Sequence, residues 1–215
     1  MINEERKQMT IQTWQKAEAR TFWEEIAHAD HLVQVYDSKE ILIETLTGFA
    51  GTGINAGDAI IIIAKSENLA MLCDKLISHG ININSLIAED KFIPINADEA
   101  LATFMRNGMP DETLFNSMAN QLYSRAIKNS HKVRAYGEMV ATLCSEGNTE
   151  AMLALENLWS AFCRKNALLL YCAYPKNLFN GDSKEQIHSI CSCHTKEING
   201  NELDMNKVIY KEARK

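Results

Sequence analysis

Ala59-Ile-Ile-Ile-Ile-Ala64 is apolar at every position. A strand with one wet face alternates apolar and polar residues, so a run without alternation needs cover on both faces. Parallel sheets with helices above and below supply that cover. The neighbouring patterns agree. Strands are expected at Leu32–Tyr36, Phe92–Asn96, Val133–Gly137 and Ala167–Tyr174, with amphipathic helical stretches between them. The helices expected are Lys39–Ile54, Asn68–His79, Asp98–Asn107, Asp111–Asn129, Glu138–Ser145, Thr149–Arg164 with Thr149 as its cap, and Ser183–His194. Pro94 removes a ladder donor and predicts an edge or a strand end for the Phe92 strand. Alternation of this kind predicts an α/β fold, a mostly parallel sheet flanked by helices.

With 215 residues, 46% of them hydrophobic, the chain fits one domain with appendages. A helical stretch, Glu4–Ala27, precedes the first strand, where it would cap the core or dock on a partner or a second copy. The expected division is an N-terminal helical extension over 1–28, an α/β domain over 29–195 and a polar tail over 196–215. A net charge of −6 argues against a nucleic-acid footprint. No Lys/Arg run suggests a membrane surface, and no apolar run is long enough to span one. The polar start carries no secretory segment, so the six cysteines are expected to be reduced and the protein cytoplasmic.

In an open α/β sheet, ligands bind at the carboxyl ends of the strands. Val133-Arg-Ala-Tyr-Gly-Glu138 therefore places Arg134, Tyr136 and Glu138 where recognition is expected, with Tyr36 at the end of the first strand. Arg134 and Tyr136 share a strand face, and Glu138 could orient Arg134. An ion pair that only fixes a strand-to-helix corner accounts for the same residues. On the Thr149 helix, Met152, Glu156, Trp159 and Cys163 share a face, giving a polar end to an apolar pocket. Alternatively, Leu155, Leu158 and Phe162 face the core and Glu156 borders it.

Other chemistry finds less support. The first strand-to-helix junction, Val35-Tyr-Asp-Ser-Lys-Glu40, lacks the glycines of a phosphate loop, and Lys39 is followed by no hydroxyl. Gly48-Phe-Ala-Gly-Thr-Gly53 lies at the wrong end of a helix for phosphate, and close packing explains it better. No nucleophile elbow appears. Cys191-Ser-Cys193-His194, with His188 upstream, offers metal donors, but a second pair is absent. Cys172 and His31 would complete a site only if the chain folded back, and a docked C-terminal helix explains these residues adequately. No metal or cofactor is expected.

His31 with Tyr36, the Gly-Asp turn before the Ile-rich strand, Asn96-Ala-Asp98-Glu-Ala-Leu101 and Val133-Arg-Ala-Tyr-Gly-Glu138 form an ordered set. Leu155-Glu-Asn-Leu-Trp159 and Leu170-Tyr-Cys-Ala-Tyr-Pro175 extend it. Together they resemble the MEDS domain, the methanogen/methylotroph sensory domain, from His31 to about His194. The resemblance implies a RecA-like core with a degenerate phosphate loop, related to circadian-clock ATPases. It also implies a sensory module with a small organic ligand, and the reading expected here is a non-enzymatic domain that binds such a ligand through Tyr36, Arg134, Tyr136, Glu138, His31, Glu156 and Trp159. With no kinase or DNA-binding segment in the sequence, signalling to a histidine kinase or transcriptional regulator is expected to run in trans. Two other readings remain: a residual nucleotide-binding or phosphotransfer protein using Lys39 and Glu138, and a ligand-free interaction module.

Overall fold

The computed structural model describes residues 29–130, 132–179, 189–190, 192–199 and 209–212. The Glu4–Ala27 helix expectation lies outside these residues, as do most of Ser183–His194, His188 and Cys191. In chain order the elements are β1 (His31–Tyr36), α1 (Lys39–Ala56), β2 (Ala59–Ala64), α2 (Ser66–Ser78), α3 (Ile83–Ala88) and β3 (Phe92–Asn96). Then come α4 (Ala97–Phe104), β4 (Met105–Arg106), β5 (Met109–Pro110), α5 (Glu112–Ile127) and β6 (Val133–Gly137). The remainder is α6 (Met139–Ser145), α7 (Thr149–Asn166), β7 (Leu169–Pro175), β8 (Lys196–Asn199) and β9 (Ile209–Glu212). No described helix is long and apolar enough to cross a membrane.

Among the described residues the main sheet has seven strands in the order β3-β2-β6-β7-β1-β8-β9. All neighbours run parallel except β9, which is antiparallel to β8. β2 is buried throughout, as its unbroken apolar run requires. Ile61 and Ile63 join Phe104, Phe115, Leu155 and Phe162 on one face of the sheet. Ile60 and Ile62 join Leu42, Leu46, Phe49 and Leu72 on the other. Helices thus cover both faces, the three-layer arrangement expected, and Pro94 sits on the edge strand β3.

Local chemistry sets the helix ends. Ser38 accepts a bond from the Ile41 amide to start α1, and Gly57, at φ +81°, ends it in the left-handed region that glycine adopts without strain. Asn96 starts α4 by accepting from the Asp98 and Glu99 amides. α4 stops at Phe104 rather than running to Asn107, because Asn107-Gly108, both at positive φ, make the tight turn of the β4–β5 hairpin. The cap of α7 is Asn148, which accepts from the Ala151 amide, and not Thr149. α3 was not expected; Asn82 caps it through the Ser85 amide. Residues expected as a polar tail include two strands, β8 and β9, which extend the sheet beyond β1.

Candidate functional site

Tyr36, Arg134, Tyr136 and Glu138 lie at the end of β1, on β6 and just past its end. Arg134 and Tyr136 do share a strand face, but Arg134 enters the sheet at its amino end, level with Ile60. There its Nε donates to Asp58 Oδ2 at 2.8 Å and its Nη1 to Thr52 Oγ1 at 3.1 Å and the Phe49 carbonyl at 3.3 Å. Arg134 is therefore a structural cation tying β6 to α1 and to the turn before β2, and it is not oriented by Glu138. Glu138 instead accepts from the Lys65 amide and the Asn68 side chain, both at 2.8 Å, which pins β6 to the start of α2. Tyr136 is fully buried with its hydroxyl unpartnered, its ring centroid 5.2 Å from that of Tyr171. Burial first, and then the Glu138 carboxylate, hold its phenol well above the usual range. The same two causes push Tyr36 up to about 12.

His31 and Glu156 belong to a different place. β1 and β7 pair with Val33 opposite Cys172, and residues two apart share a face, so His31 and Cys172 both turn toward α7. From α7, Glu156 points back at them. His194 closes the group from the turn that leads into β8. These four side chains are all buried, and one donor atom from each lies within 4.8 Å of the other three. His31 Nε2 is 3.3 Å from Cys172 Sγ and 3.4 Å from Glu156 Oε2. His194 Nε2 is 3.5 Å from the same carboxylate oxygen, and Cys172 Sγ is 3.9 Å from it. Tyr174 donates its hydroxyl to Glu156 Oε1.

The far side of each imidazole fixes its tautomer. His194 Nδ1 lies 2.7 Å from the Ile190 carbonyl, which can only accept, so Nδ1 carries the hydrogen. Ser160 donates to the Cys193 carbonyl at 2.9 Å, and His31 Nδ1 lies 2.9 Å from the Ser160 hydroxyl and 3.2 Å from that carbonyl. In neutral rings both Nε2 lone pairs then face Glu156 Oε2. Burial, followed by the neighbouring His194, holds His31 well below its ordinary value. Burial raises Glu156, and burial and Glu156 raise the Cys172 thiol well above the usual range. His31, Glu156 and Cys172 are thus each pushed toward the neutral form. His194 Nε2 has no hydrogen-bond partner.

On α7, Met152, Glu156, Trp159 and Cys163 share a buried face, and Leu155 and Phe162 are buried beside them. Glu156 does not merely border the core; it is fully enclosed. Trp159 belongs to the adjoining aromatic packing, edge-on to Phe115 at 4.9 Å. Cys172 and His194 were not among the expected site residues. Of the Cys191-Ser-Cys193-His194 stretch, His194 enters the centre, while Cys193 contributes only its carbonyl.

The fold is a helix-covered, largely parallel α/β domain whose interior carries one concentrated group of metal- or proton-binding side chains. It is a member of the MEDS family, the MEthanogen/methylotroph, DcmR Sensory domain, whose profile matches residues 30–195. No curated protein matches the sequence. Among solved structures, the protein of the Pyrococcus horikoshii OT3 structural study of Project ID PH0250 is similar, with a TM-score of 0.59 at 10% identity. That similarity covers 92% of this chain and 93% of the other, and it extends to the fold alone. The flagellar accessory protein FlaH from Methanocaldococcus jannaschii aligns with a TM-score of 0.47 at 12% identity, over 82% of this chain and 76% of that one.

Proposed function

We propose that this domain is a sensor and not an enzyme, and that its input is received at His31, Glu156, Cys172 and His194. One observation carries the reading. The buried donors come from the start of β1, from α7 and β7, and from the turn before β8, so the centre is complete only while that turn is docked. The docked segment is held by the pairing of β8 with β1, by the buried Ile190 and Ile198 and by polar bonds. Thr195 exchanges bonds with the His31 backbone, at 2.8 Å and 3.0 Å, and Lys196 Nζ meets Asp30 Oδ2 at 2.7 Å. A small ligand that binds the docked state more tightly than the undocked one shifts that equilibrium, which is all that signalling requires.

Catalysis is disfavoured at this centre. A substrate would have to enter the core, and the Cys172 thiol is held in its poorly nucleophilic form. The strand-edge residues converge less well, since the Glu138 carboxylate already accepts from Lys65 and Asn68. The output is the surface formed by the turn and by β8 and β9, read in trans by a histidine kinase, a transcriptional regulator or a second copy. Hydrogen exchange tests the coupling directly. Glu156→Gln should speed exchange of the amides at 193–198 relative to those of β2 and β6. Equal protection of that segment in the variant and the wild type would end this reading.

A further inference from the structure

We propose that His31, Glu156, Cys172 and His194 form a tetrahedral site for a divalent transition-metal ion, zinc being the best fit. This names the ligand of the sensing centre and so rests on that reading for its biological meaning, though its test does not.

The argument is geometric. Zinc bonds of about 2.0–2.3 Å place the four donors of a tetrahedron about 3.3–3.8 Å apart. Four of the six separations are 3.3, 3.4, 3.5 and 3.9 Å, and all six are within 4.8 Å. Hydrogen bonding alone does not account for the group. The Cys172 thiol can donate to His31 Nε2 at 3.3 Å, but both Nε2–Oε2 separations, 3.4 and 3.5 Å, are long for a hydrogen bond, and His194 Nε2 has no partner. The outer contacts point the same way. Metal-bound imidazoles donate their other N–H to a carbonyl, hydroxyl or carboxylate, which fixes the ring and strengthens the ligand. His194 does this to Ile190, and His31 does it to Ser160 and Cys193. Tyr174 likewise anchors the second oxygen of Glu156, leaving Oε2 for the ion. Two imidazoles, one thiolate and one carboxylate favour zinc over the hard cations magnesium and calcium, which take oxygen ligands. Binding displaces the Cys172 proton, and any on Glu156, to solvent; no redox step is involved.

The purified 215-residue chain, stripped with a chelator and titrated with Zn²⁺ or Co²⁺, decides the matter. One ion per chain is expected to bind and to raise the melting temperature. The cobalt form should show a thiolate-to-metal charge-transfer band and the intense visible bands of a tetrahedral ion. Cys172→Ser should remove the charge-transfer band and weaken binding by more than about 100-fold. Cys193→Ser should keep the band. Ser160→Ala, which removes the contacts to His31 Nδ1 and to the Cys193 carbonyl but none of the four donors, should weaken binding about 10–100-fold. Zinc X-ray absorption of the wild type needs no variant to fold. It should report one sulfur at about 2.3 Å and three nitrogen or oxygen neighbours at about 2.0–2.2 Å. A first shell with no sulfur or with two, a band that survives Cys172→Ser, or the absence of stoichiometric binding would each overturn the site. If binding is absent while Glu156→Gln still loosens residues 193–198, the metal assignment falls and the sensing centre stands.

Discussion

Arg134 and Asp58 form a buried ion pair, Nε to Oδ2 at 2.8 Å, with both side chains less than a tenth exposed. It joins the amino end of β6 to the turn that launches β2, and Thr52 and the Phe49 carbonyl take one further guanidinium nitrogen, Nη1. Removing one member of such a pair leaves the other charge stranded, which costs about 3–5 kcal/mol. Arg134→Ala should therefore lower the unfolding free energy by about that much in urea melts. Under conditions where the variant is folded, its zinc affinity should match the wild type. A loss below about 1 kcal/mol, or a selective loss of ligand binding, would return Arg134 to the binding residues.

Gly53→Ala should destabilise the protein, although replacing glycine inside a helix ordinarily gains about 1 kcal/mol. A Cβ at Gly53 would come within 2.6 Å of Ile60 Cδ1 and 2.9 Å of Arg134 Cδ and Nε. Asp58 holds that arginine in place, so the crowding has no easy outlet. The expected cost is about 1–3 kcal/mol, seen as a lower denaturation midpoint. A raised midpoint would show that Arg134 is freer than its ion pair suggests.

Saturating MgATP should leave the melting temperature unchanged. Ligand at a hundred times Kd adds about 2.7 kcal/mol, so a real site would be plain. Lys39 is spent on Glu67 at 2.7 Å on the surface, and Ser38 caps α1 rather than a phosphate. A clear shift that disappears in Lys39→Ala would make the domain a nucleotide binder.

The metal-free protein should show opposing pH dependences within one cluster. His31 has its folded pKa pushed below the ordinary 6.5, so the unfolded chain takes up its proton first as pH falls. Its contribution is complete above about pH 6.5 and is lost below it. Glu156 has its folded pKa raised, so its burial costs stability as pH rises from the ordinary carboxyl value, near 4.5, toward the raised one. His194, Cys172, Tyr174, Cys193 and Arg164 are the other ionisable groups acting on this pair. In Glu156→Gln the melting temperature should climb between about pH 4.5 and 6.5, and in His31→Gln it should fall. Parallel slopes in the two variants would mean that other groups govern the titration.

The fold was legible where local pattern and tertiary demand coincide. Ile60 to Ile63 had to be covered on both sides, and they are. Pro94 predicted an edge or a strand end, and it lies on the edge strand β3. The Asn107-Gly108 turn was equally legible but was overridden by the helical pattern before it. Asn148 shows how a boundary slips by one residue when two good capping residues are adjacent. The centre is another matter. Strand periodicity puts His31 with Val33 and Cys172 with Tyr174, but it does not say that β1 lies against β7. Nor does it say that the chain returns to bring His194 alongside. Pairing between distant segments is set by global packing, and no spacing within one segment encodes it. Arg134 misled for a related reason. Its shared face with Tyr136 was correct, but Asp58, the partner that claims it, lies 76 residues away.

The place of β1 in the sheet also bears on how a newly made chain matures. The earliest described strand lies between β7 and β8, two of the last, and its bond to Thr195 joins residues 164 apart. On a ribosome, β1 must wait for β7 before it has a neighbour, while β2, β3 and β6 can already associate; such distant pairing is slow to form. His31 waits longer still, because His194 is made after the rest of the centre. A chain arrested before that residue could assemble most of its sheet and bury most of its core, yet hold nothing at the centre. Occupancy there would mark a finished molecule from an unfinished one.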